Sequence, residues 1–73
     1  MKNNFALTTF GANIRRMRLK KVLSQPALAR KARLSPNYIG TLERGLQNPS
    51  LKTMERLAKA LGCEIPTLFK GIR

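Results

Sequence analysis

The chain has 73 residues, 42% of them hydrophobic, and its fifteen Lys and Arg against three acids give a formal net charge of +12. This length allows a single small domain, and the hydrophobic fraction is too high for a disordered tail. A folded surface this basic favours a polyanionic partner, either nucleic acid or an anionic membrane.

The rest of the composition excludes several classes of protein. The single cysteine, Cys63, cannot form an intrachain disulfide and is typical of a cytoplasmic protein. With no histidine and only three carboxylates, the sequence offers no acid–base pair for an enzyme and almost no ligands for a metal. No apolar run approaches the roughly 18 residues of a membrane span. We therefore expect no enzymatic activity, no metal, no cofactor, no small-molecule ligand and no membrane association.

The pattern predicts an all-α fold, a compact bundle of five short helices, because no segment alternates polar and apolar residues with a period of two. Residues 1–7 are expected to form a flexible N-terminal arm. The first helix is predicted to run from Thr8 or Thr9, either of which can cap it, to Val22. One of its faces carries apolar residues at helical spacing: Phe10, Ile14 and Met17.

The second and third helices are joined by a very short turn, residues 33–35. Ser24 is expected to cap the second helix. Ser35 is expected to cap the third, residues 36–44, and Gly45 to stop it in a left-handed conformation. Two helices joined this tightly cross rather than lie antiparallel, so the third helix should protrude from the body.

Ser50 is predicted to cap a fourth helix that ends at Leu61 before Gly62. Its apolar face is expected to contain Leu51, Met54, Leu57, Ala58 and Leu61. A short fifth helix is predicted over residues 66–70.

Several spaced features then carry a resemblance: Phe10-Gly11, Leu23-Ser24-Gln25, Glu43-Arg44-Gly45, Asn48-Pro49-Ser50 and Leu61-Gly62. From Phe10 to Phe69 the chain resembles the phage repressor/Cro (Xre-like) helix-turn-helix family. The resemblance implies a lambda-repressor-like DNA-binding domain over residues 8–73, usually a homodimer on palindromic operators. Two positions depart from the family pattern: Arg33 stands where glycine is usual, and Ala27 where a capping glutamate is common.

Helical spacing divides the third helix into two faces. Ile39 and Leu42 should face the core, and four other residues should face outward: Asn37, Gly40, Thr41 and Arg44. The resemblance implies that base edges are contacted from Pro36, Asn37, Tyr38 and Thr41. Asn37 is the best candidate, because its carboxamide can bond to N6 and N7 of adenine together. Gly40 fits either close approach of the DNA backbone or close helix packing.

A second set of residues is expected to bind DNA phosphates. Gln25 begins the second helix, where amide groups and the helix dipole favour an anion. The remaining members are basic or polar residues: Arg44, Asn48, Lys52, Arg33 and Arg15.

Other residues are expected to serve structure. The resemblance implies an ion pair between Arg18 and Glu43 that fixes the third helix. Cys63 is expected to be a small apolar residue of the interior. The C-terminal segment carries more apolar residues than a small core needs, and it could form a dimer seam or cap the monomer core: Ile65, Leu68, Phe69 and Ile72.

The sequence therefore predicts a cytoplasmic, nucleoid-associated transcriptional regulator that binds double-stranded DNA sequence-specifically, as a homodimeric repressor on a palindromic operator. Within the same fold, a restriction–modification controller and a toxin–antitoxin regulator remain open. A nonspecific nucleic-acid binder is a further alternative, whereas a membrane-active peptide is disfavoured because the helices are short and separately capped.

Overall fold

The computed structural model describes residues 4–72. This part of the chain forms four α-helices and one 3-10 helix: α1 (Phe5–Lys20), α2 (Gln25–Ala32), α3 (Pro36–Glu43), α4 (Leu51–Leu61) and the 3-10 segment (Ile65–Phe69). It contains no strand, so the all-α class is confirmed. The fifth α-helix was a wrong prediction. Thr67 N–H donates to the Glu64 carbonyl at 3.0 Å, a bond over three residues, because so short a segment has no room for an α-helical ladder.

Each α-helix begins at a side-chain cap. Ser24, Ser35 and Ser50 accept the amide of the residue three positions later at 3.0–3.1 Å, as predicted. The start of α1 was predicted too late: the Asn4 side chain accepts the Leu7 amide at 3.1 Å, because asparagine caps at least as well as threonine. Residues 5–7 of the predicted N-terminal arm are therefore helical, and its first three residues lie outside the described range.

Each α-helix also ends in the same way, at a residue with a left-handed backbone. These residues have φ between 58° and 78°: Val22, Arg33, Gly45 and Gly62. The next amide donates back to the fifth residue before it, as Leu23 N–H does to the Arg18 carbonyl at 3.0 Å, which is the Schellman motif. The two glycine stops are confirmed. Helix α1 ends at Lys20 rather than at Val22, because Val22 has left the helical conformation.

The core lies where α1, α2, α3, α4 and the 3-10 segment meet. Its completely buried large side chains are Ile14, Leu28, Ile39, Leu42, Leu57, Leu61 and Leu68. Two predictions fail here. Leu51 is 64% exposed, because the first turn of α4 extends beyond the core. Leu68 is completely buried inside the monomer, so it was wrongly placed in a dimer seam; the Asn13 amide donates to its carbonyl at 2.9 Å and holds it there.

Helix α1 crosses α3 at a glycine. A Cβ added at Gly11 would overlap the carbonyl oxygen of Leu42 and would lie 2.8 Å from that of Glu43. The absence of a side chain therefore allows the two backbones to touch, and this crossing fixes the end of α3 relative to α1. None of the helices in residues 4–72 is long and apolar enough to cross a membrane.

Candidate nucleic-acid interface

The first turn of α3 points into solvent while its inner face is anchored. Ile39 and Leu42 are buried as predicted, whereas Pro36 and Asn37 are exposed and Tyr38 is half-buried. Burial raises the pKa of Tyr38 above the ordinary tyrosine value, so the phenol is protonated at neutral pH and can donate a hydrogen bond. The turn thus offers an amide, a phenol and an apolar ring at one end of a fixed helix.

Thr41 lies one turn further along α3 and is half-buried. Its hydroxyl donates to the Tyr38 carbonyl at 2.9 Å and accepts from the Gln47 side-chain amide at 3.1 Å. The hydroxyl proton is therefore already used inside the protein, and the methyl group remains for contact with a base. Gln47 joins this surface although sequence reasoning missed it: it lies in a loop, where helical spacing gives no signal.

The helical spacing predicted that Gly40 would face outward. This prediction is wrong, because Gly40 is buried beside α2. A Cβ there would lie 3.6–3.8 Å from the side-chain amide of Gln25 and from a guanidinium nitrogen of Arg44, which are ordinary contacts. Gln25 and Arg44 therefore converge from two helices on one spot, although they are far apart in the sequence. Close packing, rather than a required empty space, surrounds this glycine.

Three polar side chains tie α1, α2 and α3 together. Arg18 and Glu43, the residues expected to pair, form a bidentate salt bridge with bonds of 2.6 and 3.1 Å, and their side chains are 8% and 3% exposed. Arg18 also donates to the Leu23 carbonyl at 2.8 Å. Gln25 donates its amide to Glu43 at 3.1 Å. This network sets the angle between α2 and α3, and it leaves the Gln25 carbonyl and one N–H for a ligand.

The remaining residues expected to bind phosphate are all exposed: Arg15, Arg33, Arg44, Asn48 and Lys52. Asn48 and Lys52 flank Ser50, the cap of α4, where amide groups favour an anion. Arg33 lies apart from the other residues expected to bind phosphate. It lines a separate cleft between α2 and α4 and does not join Gln25. Arg15 lies on α1 and shares no side-chain hydrogen bond with the others in the part of the chain described.

No group of histidine, cysteine or acidic side chains within residues 4–72 could hold a metal ion. Cys63 is half-buried, and burial raises the pKa of its thiol despite the nearby charge of Lys21. The thiol is therefore protonated at neutral pH. Among the described residues, the chemistry of this surface consists of hydrogen-bond donors, carboxamides and cations.

A family model for helix-turn-helix proteins matches residues 14–68. The chain belongs to this family. The immunity repressor protein of Bacillus phage phi105 is 42% identical over 60 residues, which are 82% of this chain but only 42% of that protein. Control protein C.BamHI of Bacillus amyloliquefaciens is 43% identical over 65 residues, 88% of this chain and 79% of that protein.

A solved structure agrees with these relatives. The restriction-modification controller protein C.AhdI from Aeromonas hydrophila superimposes with a TM-score of 0.88 and 41% identity, over 90% of this chain and 100% of that chain. The resemblance to phage repressor/Cro-like domains is thereby confirmed. In the helix-turn-helix, α2 and α3 are the two helices, and left-handed Arg33 turns the chain between them.

Proposed function

We propose that this helix-turn-helix protein is a transcriptional regulator that binds double-stranded DNA sequence-specifically, as a homodimeric repressor on a palindromic operator. The observation that carries the proposal is the rigid presentation of α3. Its first turn is exposed, while its other end is fixed by the buried Arg18–Glu43 pair and by the bond from Gln25 to Glu43. A helix held in this way enters the major groove without losing further conformational freedom.

Base recognition is assigned to the exposed turn of α3. The Asn37 carboxamide can bond to both N6 and N7 of an adenine, which is worth about 1–3 kcal/mol of discrimination. The Thr41 methyl group suits a thymine methyl, because the Thr41 hydroxyl is bonded within the protein. Pro36 and Tyr38 provide apolar contact and one phenolic donor beside them.

Phosphate recognition is assigned to residues around this turn. Gln25 and Arg44 converge beside Gly40, and Asn48 and Lys52 flank the start of α4. Arg15 extends the positive surface along α1. If a dimer neutralises about 6–10 phosphates, the affinity falls by about 10³–10⁵ between 50 and 200 mM salt.

A homodimer is supported by an apolar groove between the start of α1 and the C-terminal segment. Its volume is about 170 Å³, and its lining includes Leu7, Met54, Phe69 and Ile72. The Phe69 ring packs against the Phe10 ring at an angle of 39°, with ring centroids 5.7 Å apart, yet 37% of Phe69 remains exposed. We therefore assign the seam to Phe69 and Ile72, with half-buried Ile65 at its edge and without Leu68. Two-fold pairing would place the recognition helices about 34 Å apart.

Selection of duplexes from a random pool tests the proposal. We expect an enriched motif with two-fold symmetry; a pool without any motif would indicate a nonspecific nucleic-acid binder instead. Asn37→Ala should relax one base position in each half-site, whereas Gln25→Ala should weaken all sequences by a similar factor. Thr67→Ala, a neutral exchange at an exposed position outside the proposed interface, is the control. Uniform weakening by Asn37→Ala would refute base reading.

A restriction–modification controller is the second candidate. The observation that favours it is coverage, because the match spans the whole C.AhdI chain and 79% of C.BamHI, but only 42% of the phage repressor. Selection from fragments of the source genome separates these functions. Bound fragments beside a restriction endonuclease gene support the controller, and bound fragments within a prophage support the immunity repressor.

A further inference from the structure

A second charged feature lies outside the turn of α3 to which base recognition is assigned. A cleft of about 520 Å³ separates the end of α2 from the middle and end of α4. Its lining consists of four cations and two alanines: Lys31, Arg33, Arg56 and Lys59 with Ala32 and Ala60. No carboxylate lines the cleft, and its four charges face a common space.

Within residues 4–72, none of these four cations forms a salt bridge. The one salt bridge of this range joins Arg18 to Glu43, and neither of these residues lines the cleft. Like charges gathered around one cavity repel each other and raise the free energy of the folded state. A bound polyanion would reduce this repulsion and would thereby lower the free energy of the folded state.

The backbone at Arg33, which brings the fourth cation to the cleft, is left-handed, as it is at the other helix ends of the fold. Its φ of 60° and ψ of 45° lie in the left-handed region, where glycine avoids the strain that a side chain introduces. The fourth cation of the cleft is therefore held at a position where it weakens the fold. Val22 has the same conformation at the end of α1, so the four cations and the cleft, rather than this backbone, support a ligand.

We infer that this cleft binds a compact polyphosphate anion through its phosphate groups. Its volume falls in the range of roughly 300–1,000 Å³ that is typical of small-ligand sites. The guanidinium groups of Arg33 and Arg56 match pairs of phosphate oxygens, and the two lysines add point charges. No aromatic side chain lines the cleft for a base to stack on, so the phosphates carry the recognition.

The position of the cleft favours a small anion over the duplex. Gln25 lies at the opposite end of α2, and a helix of eight residues is about 12 Å long. Lys52 lies in the first turn of α4, before Arg56 and Lys59. The cleft therefore lies at the end of α2 that is away from Gln25, so a short anion there would not need to contact the surface of α3.

Titration calorimetry with inorganic tripolyphosphate tests the inference. We expect Arg56→Gln/Lys59→Gln to weaken binding by at least about tenfold, since it removes two charge-assisted contacts. The comparison variant, Arg16→Gln/Lys20→Gln, removes the same charge from a second cleft of about 490 Å³, which also has four cations but only one guanidinium, and should weaken binding less than Arg56→Gln/Lys59→Gln does. All four positions are exposed, and circular dichroism verifies that both variants fold.

Two results would overturn the inference. Equal losses in both variants would show a general effect of charge rather than a site. Wild-type protein that binds tripolyphosphate no more tightly than orthophosphate would also refute it. If, in addition, Arg56→Gln/Lys59→Gln then lowered duplex affinity and its salt dependence, the cleft would be a track for the nucleic-acid backbone instead.

Discussion

The buried Arg18–Glu43 pair leads to a prediction with a definite magnitude. Its side chains are 8% and 3% exposed and are joined by two hydrogen bonds. Removing one partner of such a pair costs about 3–5 kcal/mol, because the other charge stays buried without compensation. A domain below about 80 residues rarely gains more than about 3–5 kcal/mol from its core. We therefore expect Arg18→Met and Glu43→Met each to leave most molecules unfolded.

The double variant Arg18→Met/Glu43→Met should be far more stable than either single variant. Apolar residues of similar volume replace a buried ion pair at little or no cost. The Leu23 carbonyl and the Gln25 amide lose a partner each, which costs about 1 kcal/mol apiece. The double variant should thus lie within about 2 kcal/mol of the wild type, much less than the sum of about 6–10 kcal/mol from the single variants.

Urea denaturation followed by circular dichroism measures these free energies of unfolding, with a stabilising osmolyte added for the single variants. Glu55→Met, at an exposed acid of α4, is the control and should change stability by less than about 0.5 kcal/mol. Single variants as stable as this control would refute the reasoning. A double variant that loses the full sum would refute it equally.

The other predictions concern two glycines, one strained residue and the thiol. Gly11→Ala should cost at least about 1–3 kcal/mol because its Cβ overlaps the Leu42 carbonyl. Gly40→Ala, where the added Cβ meets ordinary contacts, should gain about 1 kcal/mol of helix propensity; equal urea midpoints for these two variants would contradict the packing. Val22→Gly should gain about 1 kcal/mol, because the relief of left-handed strain exceeds the added entropy of the unfolded chain; a lower midpoint than wild type would contradict it. The raised pKa of Cys63 lowers its thiolate fraction. Iodoacetamide should therefore alkylate the native protein more slowly than the urea-unfolded chain at neutral pH, and equal rates would show that burial does not protect the thiol.

The sequence by itself determined the parts of the structure that depend on near neighbours in the chain. Caps and stops act within a few residues, so they placed the boundaries of three helices: Ser24, Ser35, Ser50, Gly45 and Gly62. The inward face of α3 followed from spacing alone. The start of α1 was missed because Asn4 and Thr8 are both good caps, and local chemistry does not choose between them.

Only the tertiary structure decided what covers each face. Leu51 and Leu68 both fit an apolar pattern, but Leu51 lies in solvent and Leu68 lies in the core. Such a pattern predicts which face of a helix is apolar, but it does not predict which element packs against that face. The Gln47–Thr41 bond and the burial of Gly40 beside Gln25 join residues from different elements. The basic cleft likewise combines α2 with α4. Contacts of this kind exist only after the helices pack, because no local periodicity encodes the distance between them.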